Sequence, residues 1–150
     1  PKILSSLTKL PTQLYISLDA PIKNIYEKID RPFFKNAWNR LNKTLEMLPS
    51  LNTRTVIRLT LINGLNMSNI KDYAKLIKKA NPDFVECKAY MFVGGSRQRL
   101  SIKNMPYHSD ITVFSKKLAS LTNLKIIDEK KESRVALLAE KDSKKRKLKF

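Results

Sequence analysis

Residues 83–95, Asp-Phe-Val-Glu-Cys-Lys-Ala-Tyr-Met-Phe-Val-Gly-Gly, constrain what this chain can fold into more than any other stretch. Aromatic and β-branched residues dominate it and two glycines end it, so it reads as a strand. Glu86, Lys88 and Tyr90 are spaced by two, which places them on one face, with Val85, Cys87, Ala89 and Met91 on the other. A half-wet sheet tolerates such a face. A central strand of a parallel sheet, covered on both sides, does so only if the polar groups are paired, hydrogen-bonded or lining a cavity.

Two earlier segments repeat the pattern. In 13–18 and the residue after it, Tyr15, Ser17 and Asp19 share one face, and Leu14, Ile16 and Leu18 the other. In 53–62, Arg58 and Thr60 oppose Ile57, Leu59 and Leu61. Helical periodicity separates these strands. Trp38, Leu41, Leu45 and Leu48 form one face of a helix over 36–48. Ser68 is placed to cap a helix running to Ala80, with Ile70, Tyr73, Ala74 and Ile77 inward. Pro106 precedes a helix to Thr122 carrying Ile111, Phe114, Leu118 and Leu121. Residues 1–10 form a lead-in, 22–30 one or two helical turns, and 124–127 and 134–139 two short final strands around a charged turn.

Strands alternating with helices predict right-handed βαβ units, parallel strands with outer helices and an α/β fold. The polar faces then line a concave interior, as in a barrel or strongly curved sheet. Internal pairing, such as Arg58 with Glu86 on adjacent strands, is the alternative reading of the same residues. Ligands in such folds sit at the carboxyl ends of the strands. The loops there are Asp19-Ala20-Pro21, Asn63-Gly64-Leu65-Asn66 and the segment from Phe92 to Arg99. None matches a P-loop or GxGxxG phosphate motif.

Thirty Lys and Arg face thirteen Asp and Glu, a formal net charge of +17 in 150 residues. That balance favours polyanionic partners, RNA or DNA before an anionic membrane surface. One cysteine and one histidine exclude a disulfide within this chain and any Cys- or His-cluster metal site built from it alone. No apolar run approaches the roughly 20 residues that span a bilayer, which leaves a cytoplasmic location without membrane partners as the expectation. From Glu140 the composition changes to a basic tail over 140–150, with Lys141, Lys144, Lys145, Arg146, Lys147 and Lys149, read as flexible and set apart from a domain over 1–139.

Five stretches in order carry a family resemblance. They are Thr12-Gln-Leu-Tyr-Ile-Ser-Leu-Asp-Ala-Pro21, Arg54-Thr-Val-Ile-Arg-Leu-Thr-Leu-Ile-Asn-Gly-Leu-Asn-Met67, Ala80-Asn-Pro-Asp-Phe-Val-Glu-Cys-Lys-Ala-Tyr-Met-Phe-Val-Gly94, Ser96-Arg-Gln-Arg-Leu100 and Asn104-Met-Pro-Tyr-His108. Across residues 1–139 the chain resembles the C-terminal half of the radical S-adenosylmethionine enzymes that make 4-demethylwyosine in tRNA, in their archaeal form. The resemblance implies the C-terminal half of a partial (β/α)6 barrel that holds S-adenosylmethionine and a 4Fe–4S cluster. It also implies a reaction on the anticodon arm of phenylalanine tRNA, in which N1-methylguanosine at position 37 condenses with pyruvate. S-adenosylmethionine is cleaved reductively, the N1-methyl group loses hydrogen, and the resulting carbon radical attacks pyruvate before a third ring closes.

Carried onto this sequence, the resemblance gives Ser17, Asp19, Arg58, Thr60, Asn63 and Asn66 to the cofactor. It turns Glu86, Lys88 and Tyr90 toward the reaction chamber, with Lys88 able to meet pyruvate through its carboxylate or an imine. Arg97, Arg99, Lys103 and His108 face the tRNA, and Tyr90, Phe92 or Tyr107 offers an aromatic surface to an unstacked base. The family's Cys-x-x-x-Cys-x-x-Cys motif has no counterpart here. The cluster ligands therefore belong to an N-terminal half, in the same parent chain or in a separate subunit. A non-catalytic, basic tRNA-binding module derived from that enzyme is the rival reading.

Overall fold

The computed structural model describes residues 1–142 and 146–148. Lys144, Lys145 and Lys149 of the basic tail lie outside the described residues. Among the described residues, five strands form one sheet: β1 (Gln13–Ser17), β2 (Arg54–Leu61), β3 (Phe84–Ala89), β4 (Lys125–Lys130) and β5 (Val135–Ala139). Their spatial order is β1-β2-β3-β5-β4. The first three are parallel, as the alternation predicts, with Ser17, Arg58 and Glu86 in one row.

The expectation of parallel strands fails for the last two. β4 and β5 form an antiparallel hairpin, and β5 pairs antiparallel with β3. Only residues 131–134 separate them, too few for the crossover that a parallel pair requires. β4 thus becomes one edge of an open sheet, and Lys125, Asp128, Glu129 and Lys130 make that edge charged, which discourages pairing with another strand.

Among the described residues, five α-helices accompany the sheet: α1 (Lys2–Ser5), α2 (Lys23–Asp30), α3 (Ala37–Met47), α4 (Ile70–Ala80) and α5 (His108–Ser120). The core lies between the helices and the apolar sheet face. Leu18, Ile57, Leu59, Leu61, Val85, Cys87 and Leu138 meet Leu45, Tyr73, Ile77, Ile111, Phe114 and Leu118 there. Each such aliphatic or aromatic side chain contributes about 1.5–3 kcal/mol by leaving water. Tyr73 and Phe114 join α4 to α5 edge to face, 5.8 Å between ring centres.

The ends of the helices follow local chemistry. α4 starts after Asn69 rather than Ser68, whose hydroxyl donates to the Asn69 side chain instead of capping the helix. It stops at Asn81, which takes a left-handed conformation (φ 40°) and donates its N–H to Ile77 O, before Pro82 prevents continuation. α2 ends in the same way at Arg31 (φ 46°) before Pro32. α5 is held open at its start by Asp110, whose carboxylate accepts the Tyr107 N–H at 2.8 Å.

β3 is shorter than residues 83–95 suggest. It ends at Ala89, and the glycines belong to a 3-10 turn, Gly94–Gln98. Met91 therefore leaves the apolar face and is exposed. At the opposite end of the strands, Asp83 accepts hydrogen bonds from both Thr55 N and Thr55 Oγ1, which fixes the register of β2 against β3.

Candidate functional site

The uncovered sheet face carries the polar residues. Arg58 stands opposite Glu86 and forms two hydrogen bonds to it, Nε to Oε1 and Nη2 to Oε2, each 3.1 Å. Tyr15 lies under the same guanidinium, 4.6 Å from ring centre to Cζ, a cation–π contact that holds the Arg58 side chain along the sheet. The internal pairing considered from sequence therefore exists. It leaves the neighbouring row free: Lys88 sits between Thr60 and Val135 and makes no ion pair or hydrogen bond among the described residues. A cleft of about 400 Å³ runs along this face, bounded by Tyr15 and Glu86 on one side and Asp128, Glu129, Val135 and Leu137 on the other. Residues of β1 and β4 line one cleft although three strands separate them, so the sheet is strongly curved.

The carboxyl ends of the parallel strands are tied together by side chains. β1 stops at Ser17, and Leu18 makes one more backbone bond to Arg58 O. The chain then turns at Pro21, and the Asp19 carboxylate accepts the Thr60 N–H at 2.9 Å, which a longer β1 would otherwise have taken. Burial raises the Asp19 pKa, and the Thr60 N–H pulls against that shift. Asn66 is fully buried beside it. Its Nδ2 donates to Asp19 O and Thr60 O, both 2.8 Å, and its Oδ1 accepts the Ile62 N–H at 2.7 Å. Both amide hydrogens are thereby engaged, so Asn66 shapes the rim rather than offering a donor to a ligand.

Asn63 also works through the backbone. Its N–H donates to Asn104 O, its side chain donates to Lys103 O, and Asn104 Nδ2 donates back to Asn63 O. The loop after β3 is thus stapled to the loop after β2. Tyr90 is only 8% exposed; its N–H extends the ladder to Leu61 O, and its hydroxyl bonds Ser96 Oγ at 2.8 Å. Ser96 in turn donates to Val93 O, so Tyr90 supports the 3-10 turn that carries Arg97.

The basic residues of the rim are separate from the polar face. Arg97 stacks over Phe92 at 5.3 Å, and Lys103 is exposed. Arg99 opens into a cleft of about 330 Å³ shared with Lys28, Arg31, Leu65 and Leu100. His108 is less available. Its Nε2 lies 4.0 Å from Glu129, its Nδ1 is buried without a partner among the described residues, and the neighbouring Tyr107 is the exposed group. Arg146 of the tail is held against the sheet by Asp128 and by Ile127 O, at the amino ends of the parallel strands.

Two residues at the end of α2 and just after it, Asp30 and Phe33, were not singled out from sequence. Burial and the nearby Asp19 charge push the Asp30 carboxyl up to about 6, although much of the residue faces solvent. Nothing in the spacing of Asp30 signals that proximity, because it depends on how α2 folds back over the strand ends. Phe33 is 94% exposed. Its signal was present in the run Arg31-Pro-Phe-Phe-Lys35, two aromatic residues inside a basic turn with no apolar periodicity to bury them.

A sequence profile for wyosine base formation matches residues 79–140, from the end of α4 through β5. The S-adenosyl-L-methionine-dependent tRNA 4-demethylwyosine synthase of Pyrococcus abyssi is 50% identical over 135 residues, covering 89% of this chain and 40% of that protein. This chain is homologous to a portion of the tRNA 4-demethylwyosine synthases. It spans about 40% of the length of the first curated relatives it matches. A structure of TYW1 with a lysine-pyruvate adduct bound superimposes with a TM-score of 0.79 at 39% identity, over 87% of this chain and 41% of that one. A crystal structure of archaeal TYW1 gives 0.70 at 36% identity, over 92% and 42%. Among the described residues no helix is long and apolar enough to cross a membrane.

Proposed function

We propose that this chain is the C-terminal portion of a radical S-adenosylmethionine enzyme that converts N1-methylguanosine-37 of phenylalanine tRNA to 4-demethylwyosine with pyruvate, in the cytoplasm. The observation that carries the reading is the polar concave face of a sheet homologous to TYW1: a paired Arg58–Glu86 row beside an unpaired Lys88. In this reading the curved sheet is completed into a partial (β/α)6 barrel by an N-terminal half. β1 supports that, because among the described residues it pairs only with β2 and presents its other edge unpaired.

The residues present fit S-adenosylmethionine in part. Ser17 brings an exposed hydroxyl to the end of β1, and beside it lies the Asp19 carboxylate, which accepts the Thr60 N–H and also meets the Thr60 hydroxyl. Those groups would receive the ribose hydroxyls and amino-acid end of the cofactor, while Asn63 and Asn66 hold the rim in place. When bound, the cofactor supplies the hydrogen-abstracting chemistry; the chain's part is placement and exclusion of water. A 4Fe–4S cluster does not fit this chain. Its single thiol, Cys87, lies buried on the helix-covered face, where burial pushes its pKa up to about 12. The cluster ligands lie outside these residues in this reading.

Lys88 is assigned to the pyruvate carboxylate. A half-buried ammonium with no internal partner, flanked by Thr60 and Val135, is a preformed site for a small anion. Glu86 holds Arg58 back from the same anion, so the carboxylate meets one cation.

The test uses the longest natural form of the protein, reconstituted with iron and sulfide and supplied with methylated tRNA. 4-Demethylwyosine in the tRNA and 4Fe–4S absorbance are expected. Lys88→Met is expected to raise the KM for pyruvate ten-fold or more with tRNA affinity unchanged. No cluster in any natural form overturns the enzyme reading and leaves the basic tRNA-binding module, which the charge of +17 favours. Normal pyruvate kinetics in Lys88→Met overturns the assignment of that lysine.

A further inference from the structure

The cations assigned so far to RNA lie in the segment between β3 and α5. The corner between α2 and α3 carries another surface of distinct chemistry. Phe33 projects from it with 94% of its area exposed. The ring is not loose: Phe34 supports it edge-on, 5.4 Å between centres at 88°. Phe34 is itself covered by the Arg40 guanidinium at 4.6 Å. The corner is also shaped from below, because Arg31 adopts a left-handed conformation and Pro32 follows, turning the chain sharply outward. Tyr26 and Trp38, 5.4 Å apart, brace the two helices that flank it.

Cations flank Phe33 in sequence. Arg31 and Lys35 are exposed and form no ion pair among the described residues. Lys28 and Arg31 share their cleft of about 330 Å³ with Arg99, so the corner is continuous with the basic loop after β3. Asp30 is the acid beside Arg31 in sequence, and its carboxyl lies close enough to Asp19 for the two charges to interact.

An exposed, braced aromatic ring between cations has the form of a stacking platform for an unpaired nucleobase, with phosphates received on either side. A purely apolar protein partner would not call for Arg31 and Lys35 flanking the ring in sequence, with Arg99 in the cleft that Arg31 lines. We propose that Phe33 stacks against an unpaired base of the RNA substrate, and that Arg31 and Lys35 contact the phosphates flanking that base. This rests on the reading that the chain acts on tRNA, and adds a contact outside the loops already assigned to it.

The experiment measures binding of a tRNA anticodon arm carrying 2-aminopurine at successive unpaired positions, using the full natural chain and its Phe33→Ala, Phe33→Trp and Arg31→Ala/Lys35→Ala variants. Phe33 is so exposed that its truncation leaves the thermal midpoint unchanged. Phe33→Ala is expected to weaken binding roughly ten-fold, the loss of one stacked base, with the salt dependence intact. It should also abolish the quenching of 2-aminopurine at one position, and Phe33→Trp should restore both. Arg31→Ala/Lys35→Ala should flatten the log–log salt slope by about 0.7 for each phosphate no longer neutralised. Unchanged affinity and quenching in Phe33→Ala, with the parent chain binding normally, overturns this inference alone. Failure of the parent chain to bind the RNA at low salt overturns the tRNA reading with it. A Phe33→Ala chain that binds RNA normally but loses its association with the remainder of the enzyme assigns the ring to a protein interface and overturns the proposal.

Discussion

Arg58 and Glu86 face each other from adjacent parallel strands and share two parallel hydrogen bonds of 3.1 Å. Glu86 is the more enclosed partner, with 13% of its side chain exposed against 40% for Arg58. Two-point pairing of this kind fixes both side chains, and it neutralises a carboxylate that could not otherwise sit half-buried on a sheet.

Removing either partner therefore has unequal consequences. Arg58→Met leaves a largely enclosed carboxylate without its cation and is expected to cost about 2 kcal/mol after allowance for solvent on the arginine side. Glu86→Gln keeps one acceptor and should cost about 1 kcal/mol. The double variant should lose less than the sum, by urea unfolding midpoints in a double-mutant cycle. Strictly additive losses would mean that the two side chains are held by other contacts, such as Tyr15 on Arg58.

Asn66 makes a sharper demand. Its truncation strands the Ile62 N–H, Asp19 O and Thr60 O in a fully buried position. Asn66→Ala is expected to destabilise the chain by about 3 kcal/mol or more, since each orphaned buried group costs about 1–3 kcal/mol. Asn63→Ala, at an exposed position with one side-chain bond to Lys103 O, should cost under about 1 kcal/mol. Equal losses for the two would show that Asn66 is replaceable by water, and that the strand ends are not clamped by its amide.

The period-two alternation made the parallel strands legible, because Arg58 and Thr60 against Ile57, Leu59 and Leu61 needs only a strand to sort the faces. The Arg58–Glu86 pair was legible for the same reason once the two strands were set side by side. Asn66 was not. Its partners include Asp19, 47 positions away, and Asn63-Gly64-Leu65-Asn66 reads as an ordinary turn until that distance is closed by folding. The surroundings of Tyr90 were not legible either, because it lies one residue past the end of β3, where the backbone turns and its hydroxyl meets Ser96. The final hairpin was visible as two short segments, but its place beside β3 depends on long-range packing against α5 that no local pattern encodes.

Asp30 gives the fold a pH dependence of definite sign. Its folded pKa is raised to about 6 from 3.8, by burial first and then by the Asp19 charge. Between those values the folded chain holds a proton that the unfolded chain has released. Stability contributed here is present below the unfolded value, falls as pH rises toward 6, and stays lower above it. Asp30→Asn should flatten the melting profile across this window and raise the midpoint at pH 7 relative to the parent chain. A lower midpoint for Asp30→Asn at pH 7 would show that the ionised carboxylate makes a favourable contact, and the burial account would fail.

The basic loop after β3 is built to hold two arginines outward. Tyr90 and Ser96 fix the 3-10 turn from within, Phe92 supports Arg97 from one side, and Asn63 anchors the following residues through Lys103 and Asn104. In the proposed function, cations held on so well anchored a loop would meet phosphates at fixed spacing and position an RNA without reading its bases. Arg97→Ala with Arg99→Ala should weaken tRNA binding and lower the log–log salt slope by about 0.7–0.9 for each phosphate the loop no longer neutralises. Neither residue enters the core, so the thermal midpoint should hold within a degree or two. Truncating Lys147, an exposed residue near the opposite end of the strands, should change the slope less if the loop is the principal contact. An unchanged slope in the double arginine variant would remove this loop from the RNA interface and shift the electrostatic contact toward the tail.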